Sequence, residues 1–427
     1  MLLVINRRNR GSIVAKYQQY LKRIDQHKDE MVAMLIEWVN TNSGFENLSG
    51  LHHVYQQLKQ AFSILKADHQ EISLKPRTII NSSGTLIEKP TGKLLHLKKR
   101  RSNPAVRIIL GGHMDTVFPE DSPFQKAVKL NQKRLQGPGV ADMKGGLLVM
   151  LAALDALENS PFAEHVSWEL FINPDEEVGS PSSEPFISSR AKANDVGLIF
   201  EPSFPDGSIV SSRKGSMNFS LVSKGKAAHA GRDFEKGRNA ISALVKLILK
   251  VESLNDPHRG LTINLGHIEG GGSTNIVPDL AICKCNARVV NPQDMDYLKD
   301  AIDQLVKDEN DQHQAALILH HDTERGPKIF DPRHQEFYKE IENVGKELDL
   351  AIQFKPSGGV SDGNILATAG CVNVDTLGVI GKGIHTYEEE ADLESYVNHA
   401  KLTALMMMKL AAKEIILNHD CLAKECD

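Results

Sequence analysis

The chain has 427 residues, 41% of them hydrophobic and 25% charged, and a net charge of −5 at pH 7. That much apolar material supports a large core spread over roughly two or three domains. The mildly acidic balance argues against a nucleic-acid partner, which calls for a basic field, and no apolar run approaches the length needed to cross a membrane.

The chain start places a short apolar run before Arg7, Arg8 and Arg10, the reverse of a signal peptide, which points to the cytoplasm. Five cysteines in so long a chain imply no disulfide framework. Asp29 to Val39 carries apolar residues at helical spacing, with Asp29 as its cap. Gly50 to Leu65 reads as a second helix, and the short apolar runs across Ile79–Leu97 read as a hairpin or strand pair. Lys98-Lys99-Arg100-Arg101 reads as a solvated loop.

Val106 to Leu110 is a strand that Gly111 and Gly112 stop. His113 and Asp115 follow at its carboxyl end, spaced so that both side chains share one face. A carboxylate beside a histidine can accept the second ring proton and leave the other nitrogen free for a metal. Next comes Gly-Pro-Gly-Val-Ala-Asp-Met-Lys-Gly-Gly at 137–146, then an apolar, Ala-rich helix from Leu147 to Leu157. Asp142 has the position of a helix cap. A cap needs no flanking glycines, whereas a site that backbone must crowd does. Val166 to Ile172 is a strand ending in Asp175, Glu176 and Glu177, carboxylates that repel one another unless a cation lies nearby. Val196 to Phe200 ends in the same manner, at Glu201.

From about Arg213 the pattern changes. Strands at Ser216–Lys226, Leu261–Ile268, Leu280–Val290 and Ala315–His321 alternate with helices at Asn239–Leu254 and Pro292–Lys307. The order β-α-β-β-α-β is that of a ferredoxin-like sandwich inserted at 213–325. Cys283 and Cys285 fall on one strand face as buried thiols. The first domain then resumes with a helix at His334–Leu348, the Gly-rich loop Ser357–Gly363 and a strand at Val372–Leu377. Gly381-Lys382-Gly383-Ile384-His385 leads into a final helix, about Ala391 to Ile416, whose Met406-Met407-Met408 reads as core filling.

His113, Asp142, Glu176, Glu177, Glu201 and His385 each follow a strand or a Gly-rich turn. In an open α/β sheet, ligands sit outside the carboxyl ends of the strands. Such N and O donors suit a pair of zinc ions with one bridging carboxylate and one spare carboxylate to activate water. Spacing alone does not say which residue does which.

In these motifs the sequence resembles the di-zinc exopeptidases and deacylases that include glutamate carboxypeptidase, aminoacylase, acetylornithine deacetylase and succinyl-diaminopimelate desuccinylase. The glutamate carboxypeptidase branch is nearest in motif spacing and insert length, and the resemblance spans nearly the whole chain beyond the first helix or so. It implies an α/β/α catalytic domain, residues 1–212 and 326–427, interrupted by a ferredoxin-like dimerisation domain at 213–325. It implies two Zn2+ per subunit, with Co2+ or Mn2+ as alternatives. By resemblance His113 and Glu201 hold one ion, Glu177 and His385 the other, and Asp142 bridges. Asp115 orients His113, Glu176 is the general base, and the Asp142–Met143 bond is cis. Ala228-His229-Ala230-Gly231 resembles the family's Ser-His-Ala-Gly, whose histidine polarises the scissile carbonyl, from the partner subunit in dimeric relatives. Asn275 lies in a Gly-rich segment lining the site, and Arg288 takes the place of an arginine for the substrate's carboxylate. Pro138, Arg232 and Asp233 depart from the family pattern at positions that hold no metal, which leaves the substrate preference open.

The expectation is a cytoplasmic, homodimeric zinc hydrolase that cuts an amide beside a free carboxylate. An N-acyl amino acid deacylase is the alternative within the same chemistry. A binding protein that kept the fold without the activity is a third reading, set against it by the presence of every ligand and the base.

Overall fold

The computed structural model describes residues 16–312 and 315–417, so the reading of Arg7, Arg8 and Arg10 lies outside the described residues. The chain opens with helix α1 (16–26), α2 (Lys28–Val39) and α3 (Leu48–Phe62). Asp29 does not cap α2: His27 precedes the first turn without a side-chain cap bond, and Asp29 sits inside that turn. There its charge still favours the positive end of the helix. Asn47 caps α3 by accepting from the Gly50 amide.

Strands β1 (Asp68–Ile72), β2 (Arg77–Ile80), β3 (Leu86–Lys89), β4 (Leu94–Lys99) and β5 (Val106–His113) follow. β2 and β3 form an antiparallel hairpin. The basic run is not a free loop: Lys98 and Lys99 complete β4, and Lys99 bonds Glu158 and the Leu65 carbonyl. After the short β6 (Val128–Lys129) and β7 (Arg134–Gln136), α4 (Gly146–Glu158) buries every residue from Gly146 to Leu157. A helix apolar on all sides belongs in the interior. Then come β8 (Val166–Asn173), α5 (Glu184–Ala191) and β9 (Val196–Ile199).

A six-stranded sheet runs β1-β4-β8-β5-β9-β16, with β16 at Asn373–Val374. β8, β5, β9 and β16 are parallel, while β1 and β4 extend the edge antiparallel. His113, Asp175 and Glu201 therefore leave the sheet at the same end, because parallel strands finish on one side. The core beneath includes α4 and the methionines Met406, Met407 and Met408.

β10 (Ile209–Arg213) leads into β11 (Gly215–Lys224), α6 (Ala240–Glu252), β12 (Thr262–Gly270), β13 (Leu280–Val289), α7 (Pro292–Gln312) and β14 (Ala316–Arg325). The four strands β11–β14 pair antiparallel in the order β12-β13-β11-β14, the ferredoxin-like arrangement. One face packs on α6 and α7 around a core of its own, with Cys283 and Cys285 inside it and their sulfurs 3.6 Å apart. β14 runs past His321 to Arg325, which has consequences for the site.

Two crossings join this insert to the rest, and they are stapled. Arg213 and Lys328 exchange backbone hydrogen bonds of 3.1 Å. Asp375 accepts from Arg213 Nε at 2.7 Å and lies 3.2 Å from Lys328 Nζ. All three side chains are buried, and each charge has a partner, as burial requires. The β2–β3 hairpin adds a third attachment: Ile80 packs on Val222 and Ile282, and Lys284 Nζ donates to the Ile80 carbonyl at 3.1 Å.

The chain closes with α8 (Pro332–Glu347), β15 (Phe354–Ser357), α9 (Asp362–Thr368), β16, β17 (Gly381–Lys382), β18 (Glu390–Asp392) and α10 (Leu393–Ala411). The final helix is shorter than its pattern at both ends: Glu390 to Asp392 pair with β7, and Asp392 caps α10. No helix among the described residues is long and apolar enough to cross a membrane.

Candidate active site

His113 is the last residue of β5 and Asp142 the turn before α4, and close packing brings them together. At Gly112 a Cβ would lie 2.6 Å from the Met143 side chain, and at Gly146 it would lie 1.9 Å from the Phe200 carbonyl oxygen. Without these glycines the Asp142 turn could not sit between the ends of β5 and β9. The Asp142–Met143 peptide is cis. Buried Glu389 fixes the turn by accepting from the amides of Gly139, Ala141 and Asp142 at 2.9–3.0 Å.

Two donor groups meet at Asp142. His113 Nε2 is 3.1 Å from Asp142 Oδ1 and 3.9 Å from Glu201 Oε2. His385 Nε2 is 3.3 Å from Asp142 Oδ2 and 3.2 Å from Glu177 Oε2. Each oxygen of Asp142 thus faces a different histidine. In each trio, His113–Asp142–Glu201 and Asp142–Glu177–His385, one ligand atom per residue lies within 4.8 Å of the others.

These residues fit a pair of cations. His113 Nδ1 lies 3.0 Å from the Asp115 main-chain carbonyl, which can only accept, so Nδ1 carries a proton and Nε2 is the nitrogen that faces Asp142 and Glu201. Asp142, Glu177 and Glu201 crowd one space, and such carboxylates repel one another unless a positive charge lies between them. Burial, with the neighbouring Asp142 charge, pushes Glu177 and Glu201 up to about 8. Burial also works against Asp142, yet hydrogen bonds from His113 and His385 hold it below the ordinary carboxylate range. Imidazole and carboxylate donors of this kind suit zinc.

The acidic run splits three ways. Asp175 turns from the site to Ser182 and Ser183, accepting their amides and the Ser183 hydroxyl, and burial pushes it up to about 6. Glu177 faces His385. Glu176 turns to Arg325, whose Nη1 donates to Glu176 Oε1 at 2.6 Å. Arg325 Nη2 also reaches Ser180 Oγ at 2.6 Å and Asp362 Oδ1 at 3.1 Å. Asp115 holds the run in place, its carboxylate accepting from the Glu176 and Glu177 amides at 3.2 and 2.9 Å and its Oδ1 lying 3.4 Å from His113 Nδ1.

The remaining sequence-predicted residues lie on the insert. Arg288 Nε donates to Asn286 at 2.8 Å, while its Nη1 is buried without a partner. His229 and Asn275 are brought side by side, the Ala230 amide bonding the Asn275 carbonyl and His229 pairing with Ile276. Both are exposed, and among the described residues no hydrogen bond or ion pair joins either to the Asp142 cluster. Arg325, Asp362 and Glu389 were not anticipated from sequence. The one signal for Arg325 is a basic residue three positions before Lys328, at the end of the insert.

The family model described as Peptidase family M20/M25/M40 matches residues 109–409. A carboxypeptidase G2 from Pseudomonas sp. strain RS-16 is 26% identical over 314 residues, 71% of this chain and 74% of the relative. A succinyl-diaminopimelate desuccinylase from Rickettsia bellii is 24% identical over 328 residues, 71% of this chain and 82% of the relative. Among solved structures, an M20 family metallo-carboxypeptidase from Sulfolobus solfataricus superposes with a TM-score of 0.69 at 17% identity, covering 90% of this chain and 99% of that one.

Proposed function

Because this chain belongs to the peptidase family M20/M25/M40 and is a hydrolase, we propose that it is a two-zinc carboxypeptidase of the glutamate carboxypeptidase type, cutting an amide bond beside a free carboxylate. The observation that carries this reading is the pair of donor trios sharing Asp142, with Glu176 next to Glu177 in one turn, acting on Glu177 and Glu201 and belonging to neither trio. His113 and Glu201 would hold one ion and Glu177 and His385 the other, with Asp142 common to both sets. The catalytic unit is placed at 1–212 and 326–427, the insert at 213–325. The free thiols of Cys283, Cys285 and Cys371 favour the cytoplasm.

When bound there, zinc would supply a Lewis acid for the scissile carbonyl and lower the pKa of water towards neutrality. The protein does the rest. Arg325 occupies Glu176 Oε1, and among the described residues no hydrogen bond reaches Oε2. Oε2 takes the proton from the attacking water and returns it to the leaving nitrogen. Arg288, with an unpartnered nitrogen, holds the substrate's carboxylate. Hydrolysis of N-acyl amino acids and dipeptides, measured with zinc, cobalt or manganese and after chelation, tests the reading. Preference for small N-acyl amino acids over dipeptides would turn it towards the deacylases, whose metal chemistry is the same. No metal-dependent hydrolysis of either class would overturn it.

Arg288→Ala is expected to cost about 2–4 kcal/mol in kcat/KM for substrates with a free carboxylate, the scale of a charge-assisted pair lost from a desolvated pocket. Arg288→Lys recovers part of it, lacking the planar fork. Comparing a free acid with its methyl ester checks this; equal losses for both mean that Arg288 does not read the carboxylate.

The chain forms a homodimer in this reading, with His229 serving the partner's site. Ile241, Val245 and Leu249 make an exposed apolar stripe along α6, and Ile268 is exposed on the edge strand β12. A stripe beside an open edge suits a two-fold contact. Mixing inactive Glu176→Gln protomers with inactive His229→Ala protomers is expected to restore about half the normal activity per mixed dimer, since one site then carries both defects and the other none. Confirmed exchange without recovered activity ends the trans assignment.

A further inference from the structure

The insert's second sheet face, opposite α6 and α7, is organised in rows. Arg288, Ser216 and Arg325 sit opposite one another across β13, β11 and β14. Arg325 touches Glu176, so this row abuts the cluster. Asn286, Asn218 and Thr323 form the next row, about 7 Å further along the strands at 3.4 Å per residue. The rows are wired together. Arg288 Nε donates to Asn286 Oδ1, Asn286 Nδ2 to Asn218 Oδ1 at 2.6 Å, and Asn218 Nδ2 to Thr323 Oγ1 at 2.7 Å.

The second row is the floor of a cavity of about 350 Å³. Its roof is β2 of the hairpin, through Arg77 to Ile80, and its near end is Val178 and Pro181. Val178 directly follows Glu177, and Gly179 packs against Thr323, where an added Cβ would lie 3.2 Å from Oγ1. The cavity thus starts beside the acidic turn and is walled by both halves of the molecule.

We infer that this cavity is the subsite for the side chain of the residue bearing the free carboxylate, and that it takes a large uncharged side chain in place of a glutamate; the assignment rests on the proposed function in its general form, cleavage of an amide beside a free carboxylate. A carboxylate on Arg288 and a scissile bond at Glu176 lie along the first row. The carbon between them carries the side chain, and the cavity is the space beside that line. Ile79, Ile80, Val178 and Pro181 give it apolar walls. Its charges balance: Arg77 is paired with Glu46 at 2.8 Å, while Lys284, bonded to the Ile80 carbonyl, and Asp322, bonded to the Ser220 hydroxyl at 2.7 Å, bear opposite charges that act on each other. The floor amides bond one another. An ionic side chain would meet both signs there, Lys284 and Asp322, and gain no net counter-charge, and burial without one is costly. The volume matches a ligand pocket and is far larger than a methyl group needs.

Filling the cavity tests this. Gly266 lines it, and a Cβ added there meets nothing closer than Asn264 Nδ2 at 3.4 Å, so Gly266→Phe can be built without a backbone clash. Thr78→Trp fills it independently from the hairpin. The readouts are kcat/KM on N-acetylphenylalanine, N-acetylalanine and N-benzoylalanine, and Kd for free phenylalanine and alanine by calorimetry, which needs no turnover. Both variants are expected to lower kcat/KM for N-acetylphenylalanine roughly tenfold or more and weaken phenylalanine binding, while the alanine compounds stay within about twofold. Equal effects on phenylalanine and alanine compounds, or no effect on either, overturn the assignment. So does a selective loss for N-benzoylalanine, which gives the cavity to the acyl group, and so does a wild type that neither cleaves nor binds the phenylalanine compounds. Filling-sensitive phenylalanine binding without hydrolysis of any N-acyl amino acid or dipeptide would sink the proposed function and leave the subsite standing.

Discussion

Glu176→Gln is expected to lower kcat by about 10²–10⁴-fold, the scale of lost general-base catalysis, with both zinc ions retained. Glutamine keeps an oxygen for Arg325 Nη1, so the side chain stays anchored where Oε1 now lies. The amide nitrogen then replaces Oε2 and cannot take a proton. Glu177 beside it keeps its contact with His385. Metal analysis of the purified variant, alongside kinetics, is the check. A lost zinc would exchange the roles of Glu176 and Glu177.

Arg325→Ala is expected to do comparable damage by another route. It removes the cation between Glu176 and Asp362, both buried, and leaves two carboxylates unpaired; burial, with Glu176 nearby, already pushes Asp362 up to about 7. Breaking a buried pair this way costs about 3–5 kcal/mol of stability. The base also loses its anchor, so kcat falls more than KM rises. Arg325→Lys restores the charge without the fork that spans Glu176, Ser180 and Asp362. Combined with Glu176→Gln, Arg325→Ala should add little further loss in kcat, because both act on one carboxylate. A rise in KM alone, additive with Glu176→Gln, would make Arg325 a substrate contact instead.

The candidate metal site was legible as a cluster because its residues are few, polar and placed where a buried strand stops. His113 and Glu201 each follow an apolar run, and glycines surround Asp142 for a packing reason that the structure displays at Gly112 and Gly146. What sequence could not supply is direction. Asp175, Glu176 and Glu177 read as one cluster, yet they face a serine turn, an arginine and a histidine. That divergence is set by a 3₁₀ turn pinned from Asp115, a contact between residues 61 and 62 positions apart. Arg325 was missed for a related reason. Its strand pattern fades after His321, and its partners at 176, 180 and 362 are remote in sequence. The ferredoxin-like insert was legible because its alternation and helix caps are local, Asn239 capping α6 among them. The Ile80 clasp onto the insert sheet was not, since only tertiary packing makes it.

Stoichiometry tests the central claim most directly. Protein stripped by a chelator and dialysed should take up two zinc ions per subunit, and activity should return with them. Asp142→Asn should reduce uptake at both positions, because each oxygen of Asp142 faces a different histidine. A protein that saturates at one zinc, or an Asp142→Asn variant that binds two as tightly as wild type, would contradict a shared two-metal centre.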